Sequence, residues 1–160
     1  MCIRDRQPIA RKCSGVYLHE VLNPKSPIVR GFDDMFYAPH SRHTEVRMED
    51  LLRHQDKLEV IAISPDAGVY LVVSKDGKNV FVTGHCEYDR DTLKLEYERD
   101  RKKGMDVPVP CNYFKNDDPL QEPVMRWRSH GALLFQNWLN YYVYQETPYD
   151  LTALKVEKEQ

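Results

Sequence analysis

The sequence predicts an α/β domain, and three observations carry that prediction. Short runs rich in Val, Ile and Tyr recur through the first half, two later segments have helical spacing, and one strand passes through a short polar turn directly into a helix. Taken in order, "GVYLHEVL" (15–22) alternates and is rich in β-formers, so it reads as a strand. "GFDDMFYAPHSRH" (31–43) mixes aromatics, acids and a proline without periodicity, and reads as a binding loop. "LEVIAIS" (58–64) and "GVYLVVS" (68–74) are strands, and "NVFVTG" (79–84) closes a hairpin through Asp76-Gly77. The last two runs are almost continuously apolar, as strands covered on both faces are.

Two helices follow. The first covers 89–103: Asp89 or Asp91 can cap its start, Arg101, Lys102 and Lys103 occupy its last turn, and Gly104 stops it. The second covers 129–145, with His130, Leu134, Trp138 and Tyr141 at helical spacing. Its aromatics Trp138, Tyr141 and Tyr142 read as core packing. Between the helices, "MDVPVPCNYFKNDDPLQEPVMRW" (105–127) holds four prolines and little periodicity, which predicts a long ordered loop or lid. The residues after Leu151 form a charged tail.

At 160 residues the chain suits one domain with a respectable core. It is 41% hydrophobic and 30% charged with a formal charge of -2, an ordinary globular balance. That charge, with no basic stripe beyond 99–103, leaves no electrostatic footprint for nucleic acid. No apolar run approaches the roughly 18 residues of a membrane span, and the start "MCIRDRQPIARKC" lacks the apolar core of a secretory signal. Cys2, Cys13, Cys86 and Cys111 lie far apart without CxxC spacing, so reduced thiols in a cytoplasmic setting are expected.

The polar turn "GHCEYDRD" concentrates the candidate chemistry. His85 and Glu87 are two residues apart, so in an extended segment they project to one side, roughly 6–7 Å apart at Cα. A carboxylate there can take one imidazole nitrogen and leave the other as a base, which is the base-and-orienter half of a catalytic triad. The pair reads also as a polar surface contact where a strand stops. Cys86 points away from both and is a poor nucleophile for its neighbours, and neither Cys13 nor Cys111 sits in a nucleophile elbow. His40 and His43, with Asp33 or Asp34, offer a loose metal set, and His85 extends it to a metal-hydrolase alternative. Arg99 lies mid-helix opposite Leu93 and Tyr97, free either to pair with Glu96 on the surface or to clamp a substrate carboxylate.

Longer strings carry a resemblance. "SGVYLHEVLNPKSPIVRGFDDMFYAPHSRHTEV", "VTGHCEYDRDTL", "EYERD", "PVPCNYFKNDDP" and "WRSHGALLFQNWLNYYVYQETPYDL" closely resemble the homoserine O-acyltransferases of methionine biosynthesis, over about residues 7–152. The resemblance implies a flavodoxin-like α/β fold of three layers, related to class I glutamine amidotransferases. It implies ping-pong acyl transfer from acyl-CoA to the hydroxyl of L-homoserine through a cysteine thioester, with no cofactor beyond that co-substrate. By motif position, His85 corresponds to the general base and Glu87 to its orienting carboxylate. Lys12, Ser41 and Arg99 match substrate-binding positions, and a homodimer is implied for the full-length enzyme.

The departures shape the expectation. The family's nucleophilic cysteine lies upstream of the segment that begins here, and no cysteine present stands in its place. Cys86 occupies a usual proline position and Cys13 a usual apolar one. The opening 1–6 matches nothing in the family and reads as a non-native leader, followed by the C-terminal part of the acyltransferase domain at 7–152 and a charged tail at 153–160. The string "FDDMFYAPHSRHTEVR" favours acetyl-CoA as donor, with succinyl-CoA the alternative. An amidotransferase subunit, expected to show "HPE", and an inactive binding fragment are the remaining readings.

Overall fold

In the computed structural model, which describes residues 6–145, five strands form one sheet in the order β2-β1-β3-β4-β5. They are β1 (Gln7–Val21), β2 (Met35–Glu45), β3 (Leu58–Ser64), β4 (Gly68–Ser74) and β5 (Val80–Val82). Three α-helices accompany them: α1 (Met48–Leu52), α2 (Thr92–Lys102) and α3 (Arg128–Trp138), the last continuing as a π-helical turn at Leu139–Val143. The charged tail, Cys2 and the expected leader apart from Arg6 lie outside the described residues.

All pairings among the described strands are antiparallel. The apolar run of β4 therefore reflects burial on both faces rather than parallel pairing: Val69 to Val73 are all at most 5% exposed. The β4–β5 hairpin forms as expected, with Gly77 at φ 73 in its turn, a left-handed conformation that glycine adopts without strain.

The segment 31–43 is a correction. It was expected as a loop, but most of it is strand β2, paired with β1 from Cys13↔Arg42 to Glu20↔Met35. Its alternation is masked because both faces are covered. Phe36 and Ala38 enter one core, Tyr37 packs on the other, and Pro39, at the sheet edge, needs no ladder hydrogen bond from its nitrogen. Strand β1 likewise begins earlier than expected, with its register shifting between Pro8 and Cys13.

Helices cover both faces, which makes three layers. On one side, Leu134 of α3 and Ile28 and Val29 of a 3₁₀ turn pack on Phe36, Ala38, Ile61, Ala62, Tyr70, Leu71 and Val73. Burying a leucine such as Leu134 contributes about 1.5–3 kcal/mol. Asn137 ties the same helix down by donating to the carbonyls of Ile28 (3.1 Å) and Arg30 (2.8 Å). On the other side, Leu51 of α1 covers Val69 and Val72, while Leu93 of α2 joins Val16, Tyr113, Phe114 and Trp127. The proline-rich segment 105–127 is thus an ordered loop whose aromatics form a second core. It locks to β1 through Val16 N–H to Cys111 O (2.8 Å) and Cys111 N–H to Ser14 O (3.0 Å).

Trp138 corrects the core-packing expectation for the last helix, since it is 41% exposed. Tyr142 does pack against the core, and Tyr141 accepts a hydrogen bond from Arg30 (2.8 Å). Helix α2 ends as its sequence requires, with Gly104 at φ 75 donating to Arg101 O (2.9 Å).

Candidate active site

The polar turn sits where β5 leaves the sheet. Thr83 N–H donates to Tyr70 O (2.9 Å) on β4, and two residues later His85 N–H donates to Pro39 O (2.8 Å) on β2. The chain crosses between these strands at Gly84, and only glycine fits. A Cβ there would lie 2.7 Å from a Tyr70 ring carbon, 2.8 Å from Pro39 O and 3.1 Å from His40 Nε2. Gly131 plays the matching part on α3, where a Cβ would come within 2.7 Å of Cys86 O. Two glycines thereby let strand and helix close on the turn and fix where His85 emerges.

His85 Nδ1 lies 2.8 Å from Glu87 Oε1, with the two side chains 36% and 52% exposed. With Nδ1 engaged by the carboxylate, Nε2 has no hydrogen-bond partner among the described residues and is the ring nitrogen that faces the cavities beside it. The imidazole also stacks on Tyr88, with centroids 4.3 Å apart and planes at 16°. Tyr88 is itself held at both ends: Trp127 Nε1–H donates to its carbonyl (2.9 Å), and its hydroxyl donates to Glu96 Oε1 (2.8 Å). Burial and the Glu96 carboxylate push the Tyr88 phenol well above its usual range, so it remains a donor.

Ser41 belongs to the same assembly, its hydroxyl donating to Glu96 Oε2 at 2.5 Å. Ser41 and His85 line one cavity of about 360 Å³ with Arg42, His43 and Thr83. On the other side of His85 a cavity of about 420 Å³ is mainly apolar, lined by Ile28, Val80, Val82, Leu134, Phe135 and Trp138 among others. His85 thus stands between a polar and an apolar recess.

Lys12 and Arg99 form a second group. Lys12 Nζ donates to Asp100 Oδ2 (2.9 Å), and Arg99 Nε donates to Asp100 Oδ1 (2.8 Å). Hydrogen bonds from Lys12 and then Arg99 hold the Asp100 carboxyl below its ordinary range. Arg99 therefore pairs with Asp100 and not with Glu96, the surface partner that spacing offered. Glu96 and Asp100 are one helical turn apart and share a face of α2, so one helix anchors Ser41 and Tyr88 through the first and Lys12 through the second. Tyr88 and Asp100 were missed in the sequence, and Glu96 was read only as a surface partner for Arg99. The only signal there was the i, i+4 acid pair flanking Arg99, and its partners are distant in sequence.

The suggested metal set does not assemble. His40 is fully buried, its Nε2 2.9 Å from Nε2 of an equally buried His19, with Arg42 Nε donating to its Nδ1 (3.3 Å). Burial lowers His19 to about 4 and His40 to about 2, so both are neutral imidazoles inside the fold. Asp33 instead meets His130 at 3.3 Å. Among the described residues no group of three or more His, Cys, Asp or Glu is placed to hold a metal.

Three described cysteines, Cys13, Cys86 and Cys111, are free thiols, and burial pushes each of them up. Cys86 packs toward the core beside Tyr70 and lines the apolar cavity together with His85 and Glu87. None has the depressed pKa of an activated nucleophile.

A sheet covered by helices on both faces, with a histidine–carboxylate turn at a strand end, is a glutamine amidotransferase-like α/β fold. The chain superposes on the crystal structure of SMU.1228c with a TM-score of 0.57, at 15% identity, over 83% of this chain and 53% of that one. It superposes on a glutamine amidotransferase from Thermotoga maritima with a TM-score of 0.51, at 14% identity, over 87% and 54%. Residues 3–149 match the homoserine O-succinyltransferase family, and the chain belongs to that family of homoserine O-acyltransferases. It is 58% identical to a homoserine O-acetyltransferase of Agathobacter rectalis and 57% identical to one of Bacillus cytotoxicus, over 91% of this chain in each case. A relative of the same name from Acetivibrio thermocellus is 53% identical over 94%. The chain spans about half the length of these relatives, between 46% and 49%.

Proposed function

We propose that this chain supplies the base, its orienting carboxylate and the substrate contacts of a homoserine O-acyltransferase, and that the nucleophilic cysteine belongs to the half of the enzyme the chain does not span. The observation that carries the reading is the 2.8 Å contact of His85 Nδ1 with Glu87 Oε1, which leaves Nε2 open beside two cavities. His85 Nε2 takes the proton of the cysteine thiol, and the thiolate attacks the acyl-CoA carbonyl. The CoA sulfur leaves with a proton returned from the imidazolium. In the second half, His85 Nε2 takes the homoserine hydroxyl proton, the oxygen attacks the thioester, and the cysteine sulfur leaves, reprotonated. Glu87 stabilises the imidazolium in both halves, as an orienting carboxylate does in a triad.

Arg99, 55% exposed with guanidinium hydrogens to spare, is the clamp for the homoserine carboxylate. Lys12 adds positive charge beside Asp100, and Ser41 a hydroxyl on the polar side of His85. Acetyl-CoA is the favoured donor, supported by the acetyltransferase names of the relatives, and succinyl-CoA is the second reading, supported by the family's description. The full-length enzyme works as a homodimer in the cytoplasm, where unpaired thiols such as Cys13, Cys86 and Cys111 stay reduced. Among the described residues no helix is long and apolar enough to cross a membrane.

The test is an O-acetylhomoserine assay on this chain fused behind the unmatched half of the Agathobacter rectalis relative. Turnover is expected with homoserine and acetyl-CoA, and a loss of about 10²- to 10⁴-fold in His85→Ala. A fusion that is folded but indifferent to His85→Ala refutes the assignment.

A further inference from the structure

We infer that Tyr88 is a positioning residue for the base: its ring is the platform that fixes the plane of the His85 imidazole, aims Nε2, and carries the imidazolium once that nitrogen has taken a proton. This rests on the reading of His85 as the base and goes beyond it in naming what holds the ring.

The carboxylate of Glu87 meets the imidazole at one edge atom, 2.8 Å away, so it fixes a point and leaves the plane free to swing about it. Both side chains are open to water, and an ion pair so exposed is weak. A misplacement of about 1 Å costs a reacting group much of its rate, so the base needs a second constraint.

The turn itself supplies one. Tyr88 N–H donates to His85 O (3.2 Å), closing a reverse turn over Cys86 and Glu87. One turn thereby sets a carboxylate at the edge of the imidazole and an aromatic ring on its face. The two rings lie 4.3 Å apart at centroids and within 16° of parallel, so the tyrosine blocks any swing of the imidazole toward it.

The platform is rigid because it is tied at both ends. Trp127, 1% exposed, donates from Nε1 to Tyr88 O at 2.9 Å, and the phenol donates to Glu96 Oε1 at 2.8 Å. The ring also packs against the core formed by Val16, Leu93, Tyr113, Phe114 and Trp127. Glu96 Oε2 takes the Ser41 hydroxyl at 2.5 Å, and Ser41 lines the polar cavity with His85. One carboxylate on α2 therefore sets both the hydroxyl on the substrate side and the platform under the base.

The chemistry of the ring suits the charge it carries. The face of a tyrosine is electron-rich and attracts a cation stacked on it. A phenol that donates to a carboxylate is polarised further in that direction. The attraction acts only after His85 has taken the proton, so it favours the charged state over the resting one and speeds the step rather than tightening substrate binding.

The experiment has two parts. In the 160-residue chain, proton NMR reads the stack: the carbon-bound ring protons of His85, assigned by their loss in His85→Ala, should resonate upfield of an exposed histidine. They should stay there in Tyr88→Phe and move back in Tyr88→Leu. In the chain fused behind its companion half, the unmatched half of the Agathobacter rectalis relative, Tyr88→Leu should lower kcat by about five- to thirtyfold with the homoserine KM within about twofold. Tyr88→Phe, which keeps the face and loses only the tie to Glu96, should recover most of that loss. Unshifted ring protons in the parent chain overturn the inference without any variant. So does a folded Tyr88→Leu enzyme with the parental kcat, one whose defect lies in KM alone, or a Tyr88→Phe enzyme as slow as Tyr88→Leu. A fused enzyme indifferent to His85→Ala would refute the base and the charge-bearing role with it, while the ring protons still decide whether Tyr88 holds the imidazole.

Discussion

Replacing Gly84 by alanine tests how tightly the catalytic turn is built. The new methyl carbon would sit 2.7 Å from Tyr70 Cε2, 2.8 Å from Pro39 O and 3.1 Å from His40 Nε2. Restoring ordinary contact at about 3.4 Å requires roughly 0.7 Å of movement. None of the three neighbours can retreat: Tyr70 is 1% exposed, and His40 and Pro39 are among the fully buried side chains. The turn must therefore shift, stretching the His85 N–H to Pro39 O bond from 2.8 Å toward the limit of hydrogen bonding. Overpacking of this kind costs about 1–3 kcal/mol, and loss of the bond adds about 0.5–1.5 kcal/mol. Urea unfolding followed by tryptophan fluorescence should show a lower midpoint with unchanged slope, by about 2–4 kcal/mol in total. A Gly84→Ala protein within about 0.5 kcal/mol of the parent would refute the close approach and the placement of His85 that depends on it.

Other outcomes follow from the same geometry. His19 and His40 have folded pKa values of about 4 and about 2, below the ordinary 6.5, so the unfolded chain takes up protons first as pH falls. Stability is full above about pH 6.5 and declines toward pH 4, by roughly 3 kcal/mol from His19 alone; a urea midpoint constant from pH 7.5 to 4.5 contradicts this. Asp100→Asn, measured in the fused enzyme, should raise the homoserine KM by about tenfold or more with little change in kcat, since Lys12 and Arg99 lose the carboxylate that positions them. An unchanged KM removes Asp100 from the site. Cys86→Ala should leave turnover intact in that enzyme, because its thiol packs beside Tyr70 and burial raises its pKa; loss of activity with the fold preserved reverses that reading.

Much of this fold is legible where local signals are strong. The hairpin at Asp76-Gly77, the stop of α2 at Gly104 and the exact span of β3 and β4 follow from turn residues and apolar runs. Strand β2 is illegible because its two covered faces erase alternation and Pro39 argues against a strand, unless the sheet edge is already known. The pairing of His85 with Glu87 is local, an i, i+2 relation, and so could be read directly. Ser41, Lys12 and Arg99 could be named only through resemblance, because what joins them is long-range: Ser41 meets Glu96 across 55 residues and Lys12 meets Asp100 across 88. The buried His19–His40 contact is of the same kind, hidden in two strands whose register no single sequence reveals.

The central claim is that this chain carries the base and its orienter while the nucleophile lies elsewhere in the enzyme. Intact-mass measurement after incubation with acetyl-CoA tests it directly. The 160-residue chain alone should stay unmodified, and the fused protein should gain one acetyl group, on a cysteine of the companion half, that homoserine discharges. An acetyl thioester on Cys13, Cys86 or Cys111 of this chain, discharged by homoserine, would contradict it.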